Sequence, residues 1–388
     1  MKKFKADYIL PVNADPIKNG LITVNDDGMI LAIEEAPLIQ DQETEIVRGV
    51  ICPGFINTHC HLELSHLRNK IAQKKGLIQF IKDVQQLRHI DQGEITSAAE
   101  AADQEMYDNG IVAVGDISNS AVTALIKGKS KLYYHSFIET FGFTPENAEM
   151  IFNKALGIAE NFASQSYTIT PHAPYSVSKD LFKLFKKHTD LHPGPLSIHN
   201  QESEEENKLF RYKTGEFLDL YESFGVNIDF FKPQARNSLQ SVIPLFSDKP
   251  QILLVHNTFT NLKDIYFVKR FDRRISWCFC PSANMYIENK LPKIDLFLNH
   301  HFNYTLGTDS LASNTKLSIL NEMFVLQQNF PKLDFNQLLK WATINGAKFL
   351  GIDQDKGSLE LGKTPGLNVI TGLNDFKITA DTQVKRLI

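Results

Sequence analysis

The chain has 388 residues, with 41 Lys and Arg against 45 Asp and Glu and a formal net charge of −4. Hydrophobic residues make up 43% and charged residues 22%, which excludes a disordered chain, a collagen-like repeat and a disulfide mini-protein. The slightly acidic balance argues against a general nucleic-acid binder, which carries a basic excess or stripe.

At roughly 150 residues per domain the length predicts two domains, although α/β barrels often use more than about 200 for one. The start, MKKFK, is basic, but Asp7, Asn13, Asp15 and Lys18 interrupt the apolar core that an export signal needs. The first 50 residues read as short strands broken by the Asn-Asp-Asp-Gly turn at 25–28. Beyond them strand-like and helix-like segments alternate. The strand-like runs are VICPGFIN (50–57), IVAVGDI (111–117), KLYYHSFIE (131–139), SYTITPH (166–172), PLSIH (195–199), QILLVHN (251–257), ISWCFCP (275–281) and NYTLGTD (303–309). Between the first two, Leu77, Ile78, Ile81, Val84 and Leu87 recur at helix spacing, and a second helical pattern ends at Gly110. Eight strands alternating with helices fit a (β/α)8 TIM barrel of the α/β class. A doubly wound sheet has the same elements, but its chemistry is not spread over so many strand ends. The last stretch, GSLELGKTPGLNVI and KITADTQVKRLI, returns to the texture of the first 50 residues.

No apolar run reaches the roughly 20 residues of a membrane span, so no membrane partner is expected. Cys278 and Cys280 alternate in ISWCFC and would face one side, but soft-metal sites usually need four ligands. Buried free thiols in a reducing cytoplasm are the expectation.

The polar residues at the strand ends carry the functional signal. His59 and His61 follow the first strand, His172 ends the fourth, and His199 ends the fifth with Glu202 three residues later. His256 lies near the end of the sixth and Asp309 ends the eighth. In a barrel these positions converge on the C-terminal face, where active sites sit. Two residues apart in an extended segment lie on one side, so His59 and His61 can reach one ion. A lone histidine at a strand end is more often a hydrogen-bonded core residue, and a bare HxH pair is a weak signal. The combination with His199, Asp309 and a neighbouring glutamate is strong. His66, His89, His188, His192, His300 and His301 are expected on the solvated surface, and His135 as a satisfied barrel residue. Glu63 and Glu139 suit either a ligand contact or a rim salt bridge.

The run PGFINTHCHLELSHL resembles the first-strand signature of the amidohydrolase superfamily. HAPYSVS (172–178), SIHNQESEEE (197–206), LVHN (254–257), CPSANMYIENKLP (280–292) and LGTDSLASN (306–314) are similar to its cytosine deaminase/chlorohydrolase branch. GSLELGKTPGLNVI resembles the closing strand motif of the small β-domain beside such barrels. One departure is Pro365-Gly366, where relatives usually have Ala-Asp.

The resemblance implies a barrel over residues 53–349 and a small flanking β-sandwich domain built from 1–52 and 350–388. It implies metal ligation by His59, His61, His199 and Asp309, proton shuttling by Glu202, and orientation of the attacking water by His256. Substrate contacts fall to His172, Glu63 and Asn284. Binuclear relatives use a carboxylated lysine on the fourth strand; SYTITPH has none, which favours one divalent ion. Zinc suits such a nitrogen-rich site, and Fe2+ fits as well. The implied reaction is hydrolytic deamination of a small molecule, best an adenosine-type nucleoside such as 6-amino-6-deoxyfutalosine. The carboxylate of that compound would want an arginine; Arg88, Arg211 and Arg236 are the candidates. Cytosine or guanine deamination and chlorohydrolase-type chemistry are the alternatives, with a non-catalytic scaffold more distant. A homodimer is common in the resembled family.

Overall fold

The computed structural model describes residues 1–35, 43–271 and 274–388. Four strands open the chain: β1 (Lys2–Ile9), β2 (Ile17–Val24), β3 (Ile30–Glu35) and β4 (Thr44–Pro53). The next four are β5 (Phe55–Cys60), β6 (Ile111–Ser118), β7 (Tyr133–Thr140) and β8 (Ser166–Pro171), followed by β9 (Leu196–Asn200) and β10 (Gln251–His256). β11 (Arg274–Phe279), β12 (Asn303–Leu306), β13 (Leu367–Thr371) and β14 (Gln383–Arg386) complete the order.

β5 to β8 pair in parallel in sequence order, and so do β9 to β12, giving two four-stranded sheets. Helices alternate with the strands, the expected α/β pattern. Gln92–Asp108 starts on the side chain of Asp91, which accepts from Gly93 N, and Lys179–Leu191 starts on Ser178, which accepts from Leu181 N. Among the described residues no continuous ladder runs round all eight strands. The sheet edges instead meet at two seams. At one, His199 N donates to the His172 carbonyl at 2.9 Å. At the other, Asp309 N donates to the His59 carbonyl at 3.1 Å and the Thr58 hydroxyl to the Leu306 carbonyl at 3.0 Å. Inside lies a cluster that includes Ile56, Ala113, Phe137, Leu253, Val255, Cys278 and Cys280, all fully buried. The two cysteines do face one way and are free thiols.

The run expected as one strand over 50–57 is divided between two sheets at Gly54. A Cβ there would stand 2.2 Å from Val112 Cγ1 and 2.9 Å from the Pro365 carbonyl, so only glycine allows the chain to cross so closely. Gly54 N is 3.2 Å from the carbonyls of both Pro365 and Gly366, which puts the unusual dipeptide at this crossing.

The terminal segments form one mixed six-stranded sheet in the order β14-β13-β4-β1-β2-β3. β4 shows why a second sheet is not required to cover it. Ile51 packs with Phe4, Ile22 and Val369 on one face, while Val50 and Cys52 join the large cluster shared with the barrel helices on the other. Among the described residues, no helix is long and apolar enough to cross a membrane.

Candidate metal centre and the cavity above it

Three imidazoles converge by their Nε2 atoms. His61 Nε2 lies 3.2 Å from His59 Nε2 and 3.2 Å from His199 Nε2. Asp309 Oδ1 stands 3.6 Å from His59 Nε2 and 3.4 Å from His61 Nε2. Four donors about 2.1 Å from a tetrahedrally held zinc ion stand about 3.4 Å apart, so the spacing fits one ion. The protonation states fit as well. His199 Nδ1 faces the His172 carbonyl at 2.9 Å, which can only accept, so Nδ1 carries the proton and Nε2 presents its lone pair. Burial, outweighing the charge of Asp309, holds the His61 pKa well below the usual value; burial and the neighbouring imidazoles do the same for His199. Neutral imidazoles facing one another at 3.2 Å have no proton to share at every contact, and a cation satisfies them. Among the described residues the groups able to hold a metal ion all include a histidine of this set, and none includes a cysteine.

Beside these donors stands a second pair. His256 Nε2 is 3.7 Å from Glu202 Oε1, and its Nδ1 is 3.0 Å from Asn284 Oδ1. Burial pushes the Glu202 carboxyl well above the usual carboxylate range, and the charges of Asp309 and Glu288 add to the shift. Asp309 behaves oppositely. Burial alone would raise it, but the His59 hydrogen bond and the surrounding imidazoles pull it below the usual range. Two carboxyl groups in one site are thus separated, one favoured as acid and one as carboxylate.

The backbone at these positions is unusual. Gln201 (φ 45°), His256 (φ 73°), Asn257 (φ 60°) and Asp309 (φ 56°) are all non-glycine residues in the left-handed region. Each such residue costs about 1–3 kcal/mol and persists only where the surroundings over-determine it. Asp309 lies beyond the end of β12 rather than in it, and its backbone bridges that of Cys60 at the end of β5.

Above the floor opens a cavity of about 490 Å³. His61, His172, His199, Glu202, His256 and Asp309 all line it. Its apolar wall comes from Leu77, Phe80, Ile81 and Val84 on the helix Leu77–Leu87, facing Leu220, Tyr221 and Phe224. A second cavity of about 720 Å³ shares Arg88, Asn119, Glu139 and Phe141 with the first.

The remaining sequence candidates fall as follows. Glu63 lines the second cavity, with its carboxylate accepting from Arg88, Asn119 N and the Ser120 hydroxyl. Asn284 is 1% exposed and faces His256 and Thr258, so the structure places it behind the floor rather than on the cavity wall. Arg88 borders both cavities, whereas Arg211 and Arg236 are exposed elsewhere. His66 and His300 are buried, contrary to the surface expectation. His66 lies in the short turn Leu62–Leu67, which folds inward because its leucines are core residues and carries the histidine with it. Sequence reasoning missed the apolar wall, whose helical periodicity is also that of an ordinary core face, and Ser313, whose hydroxyl donates to Asp309 Oδ2.

A nitrogen-rich donor set at the C-terminal strand ends of an α/β barrel defines a class of metal-centre proteins. The amidohydrolase family profile matches residues 50–387, and the chain belongs to that family. Over 384 residues it is 25% identical to a 5-methylthioadenosine/S-adenosylhomocysteine deaminase from Saccharophagus degradans, covering 92% of this chain and 80% of the relative. It is 28% identical over 357 residues to an adenosine deaminase from Helicobacter pylori, covering 88% and 83%. The structure of Helicobacter pylori aminofutalosine deaminase in complex with methylthio-coformycin superposes with a TM-score of 0.84 at 22% identity, covering all of both chains. That likeness shows the TIM-barrel fold.

Proposed function

We propose that this protein is a metal-dependent hydrolytic deaminase that releases ammonia from an amino-substituted purine nucleoside. The observation that carries this reading is the convergence, on one cavity floor, of the four donors with the Glu202–His256 pair. The deaminases among the chain's relatives support the substrate class. His59, His61, His199 and Asp309 would hold one divalent ion, with zinc the first choice and Fe2+ also compatible with the three nitrogen donors.

When bound there, such an ion would lower the pKa of a water far below its bulk value, to about 7, and so make a nucleophile available near neutral pH. Asp309 accepts the proton released as the water oxygen adds to the amino-bearing ring carbon. His256, fixed through Nδ1 by Asn284, orients the incoming oxygen. Glu202, whose acid form burial favours, gives its proton to the adjoining ring nitrogen. Asp309 then passes its proton to the amino nitrogen, the C–N bond breaks, and ammonia leaves with the bonding electrons. The hydroxyl proton left on the ring carbon returns to Glu202 as the carbonyl forms. His172 faces the nucleoside from the cavity side, and Glu63 supports the wall between the two cavities. Of the nucleosides, 6-amino-6-deoxyfutalosine is the first choice, ahead of adenosine, 5′-methylthioadenosine and S-adenosylhomocysteine. In the same reading the segments 1–52 and 350–388 form the small β-domain beside a catalytic barrel over 53–349, and the protein works in the cytoplasm.

The test is ammonia release from a panel of these nucleosides together with cytosine, guanine and a chlorotriazine. Release from one or more nucleosides supports the reading. Turnover of cytosine or guanine alone contradicts the nucleoside class, and halide as the product contradicts deamination.

A further inference from the structure

Gln201 separates the metal-facing His199 from Glu202 by a single turn, and nothing in the chemistry above uses it. It is fully buried, yet every polar atom it owns has a partner. Its Oε1 accepts from the Thr260 hydroxyl at 2.7 Å, and its Nε2 donates to Asp264 Oδ2 and to Asn207 Oδ1, both at 3.0 Å. Its backbone N donates to Glu206 Oε1 at 3.1 Å, and its carbonyl accepts from Phe259 N at 2.9 Å.

Asp264 beneath it is also fully buried. It receives Asn237 Nδ2 at 2.8 Å, Gln240 Nε2 at 2.7 Å and Asn261 N at 3.1 Å in addition to Gln201. These donors come from the segments following β9 and β10, so the network clamps together the two strand ends that carry Glu202 and His256. A buried amide whose donor and acceptor ends are both fixed cannot rotate, and the left-handed φ of 45° at Gln201 is held in place by these bonds.

We propose that Gln201, seated on Asp264 and Thr260, is a positioning residue that sets the carboxyl of Glu202 against His256. The inference rests on the deaminase reading, in which that pair handles protons. The bland alternative is that the network only caps the helix Leu262–Lys269, because Asn261 and Asp264 also form its capping box.

The experiment compares Thr260→Val, Thr260→Ser, Gln201→Leu and Asn261→Ala in the full-length, metal-loaded protein. Thr260→Val is close to isosteric and removes one hydrogen bond from Gln201. It should keep its metal and a KM within about twofold of the wild type while kcat falls about tenfold. Thr260→Ser, which restores the hydroxyl, should recover the rate, and Gln201→Leu should lose at least as much as Thr260→Val. Asn261→Ala strips the helix cap and leaves the partners of Gln201 in place, so it should lower the melting temperature with little change in kcat. Equal kcat in Thr260→Val and wild type, or parallel behaviour of Thr260→Val and Asn261→Ala, would overturn the proposal.

Crystal structures of wild type and Thr260→Val give a readout independent of substrate. A Glu202 carboxyl shifted from His256 by about 0.5 Å or more supports positioning, and an unmoved carboxyl contradicts it. If the wild type releases no ammonia from any nucleoside, the deaminase reading fails, and this structural comparison still decides the role of Gln201.

Discussion

Glu202 and Glu205 stand in one acidic run, ESEEE, yet the fold gives them opposite surroundings. Glu202 is 4% exposed on the cavity floor, whereas the Glu205 carboxylate pairs with Lys208 at 2.5 Å and accepts from Glu216 N. Glu202→Gln keeps the size of the side chain but removes its exchangeable proton. Metal content should stay unchanged while kcat falls by about 10²–10⁴. Glu205→Gln should stay near the wild-type rate, and equal mild effects from both would remove Glu202 from the mechanism. His135 makes a separate prediction. Both ring nitrogens are bonded, to Ser166 Oγ at 2.8 Å and Thr168 Oγ1 at 3.0 Å, and burial, reinforced by Lys127, pushes its pKa down to about 3. A folded value below the unfolded one means that the unfolded chain takes up the proton first. The stabilisation is therefore complete above about pH 6.5 and is lost as pH falls toward 3. Between pH 7 and 5 the loss is about 2 kcal/mol. Urea unfolding at pH 7 and 5 should show His135→Asn less acid-sensitive than wild type by about that amount; equal sensitivity contradicts it. At this scale the sequence was most legible where a residue type has one demanding use, as in His59-Cys60-His61 or the glutamate after His199. It was least legible for neutral groups such as Asn284 and Gln201, whose roles depend on partners distant in sequence.

The seams between the two four-stranded sheets depend on close backbone approach. Gly307 follows β12, and a Cβ there would meet His59 Cβ at 2.8 Å, the His59 carbonyl at 2.9 Å and Cys278 Sγ at 3.0 Å. Gly307→Ala must therefore push β5 away from β12 and carry His59 with it. We expect a stability loss of about 1–3 kcal/mol, read by denaturant unfolding, together with weaker zinc retention. Wild-type values for both would show that the seam is looser than the packing implies. The strands were legible because each is a short apolar run ending in turn residues, and their observed limits mostly lie within two residues of the sequence reading. NYTLGTD stops three residues early, at Leu306, and VICPGFIN departs further: it is a single apolar run that serves two sheets, and no periodicity marks a crossing made by the absence of a side chain at Gly54. The helix Leu77–Leu87 was also found from its period, but the same stripe fits a core face or a cavity wall. Here Ile78 packs into the core alone, while Ile81 and Val84 both touch buried clusters and line the cavity.

At the scale of the whole molecule, the small sheet and the barrel share a buried face. Asn368 Nδ2 donates to the Gly110 carbonyl at 2.8 Å, and the same carbonyl accepts from Phe55 N at the start of the first barrel strand. Arg386 Nε donates to the Tyr107 carbonyl at 3.0 Å with its guanidinium 4.0 Å above the Tyr107 ring. The return of strand-like texture at the C-terminus was legible in the sequence. The use of the barrel in place of a second sheet was not, because alternation along β4 shows two buried faces without showing what buries them. The cavity floor gathers donors from residues 59 to 309, so its chemistry exists only in the assembled fold. The most direct measurement is therefore a zinc titration of metal-free, full-length protein, following ammonia released from a saturating amino-purine nucleoside. Release should rise in proportion to zinc and level off at one equivalent per chain. Undiminished release by the metal-free protein, a plateau at two equivalents, or no ammonia at full zinc loading would contradict the account.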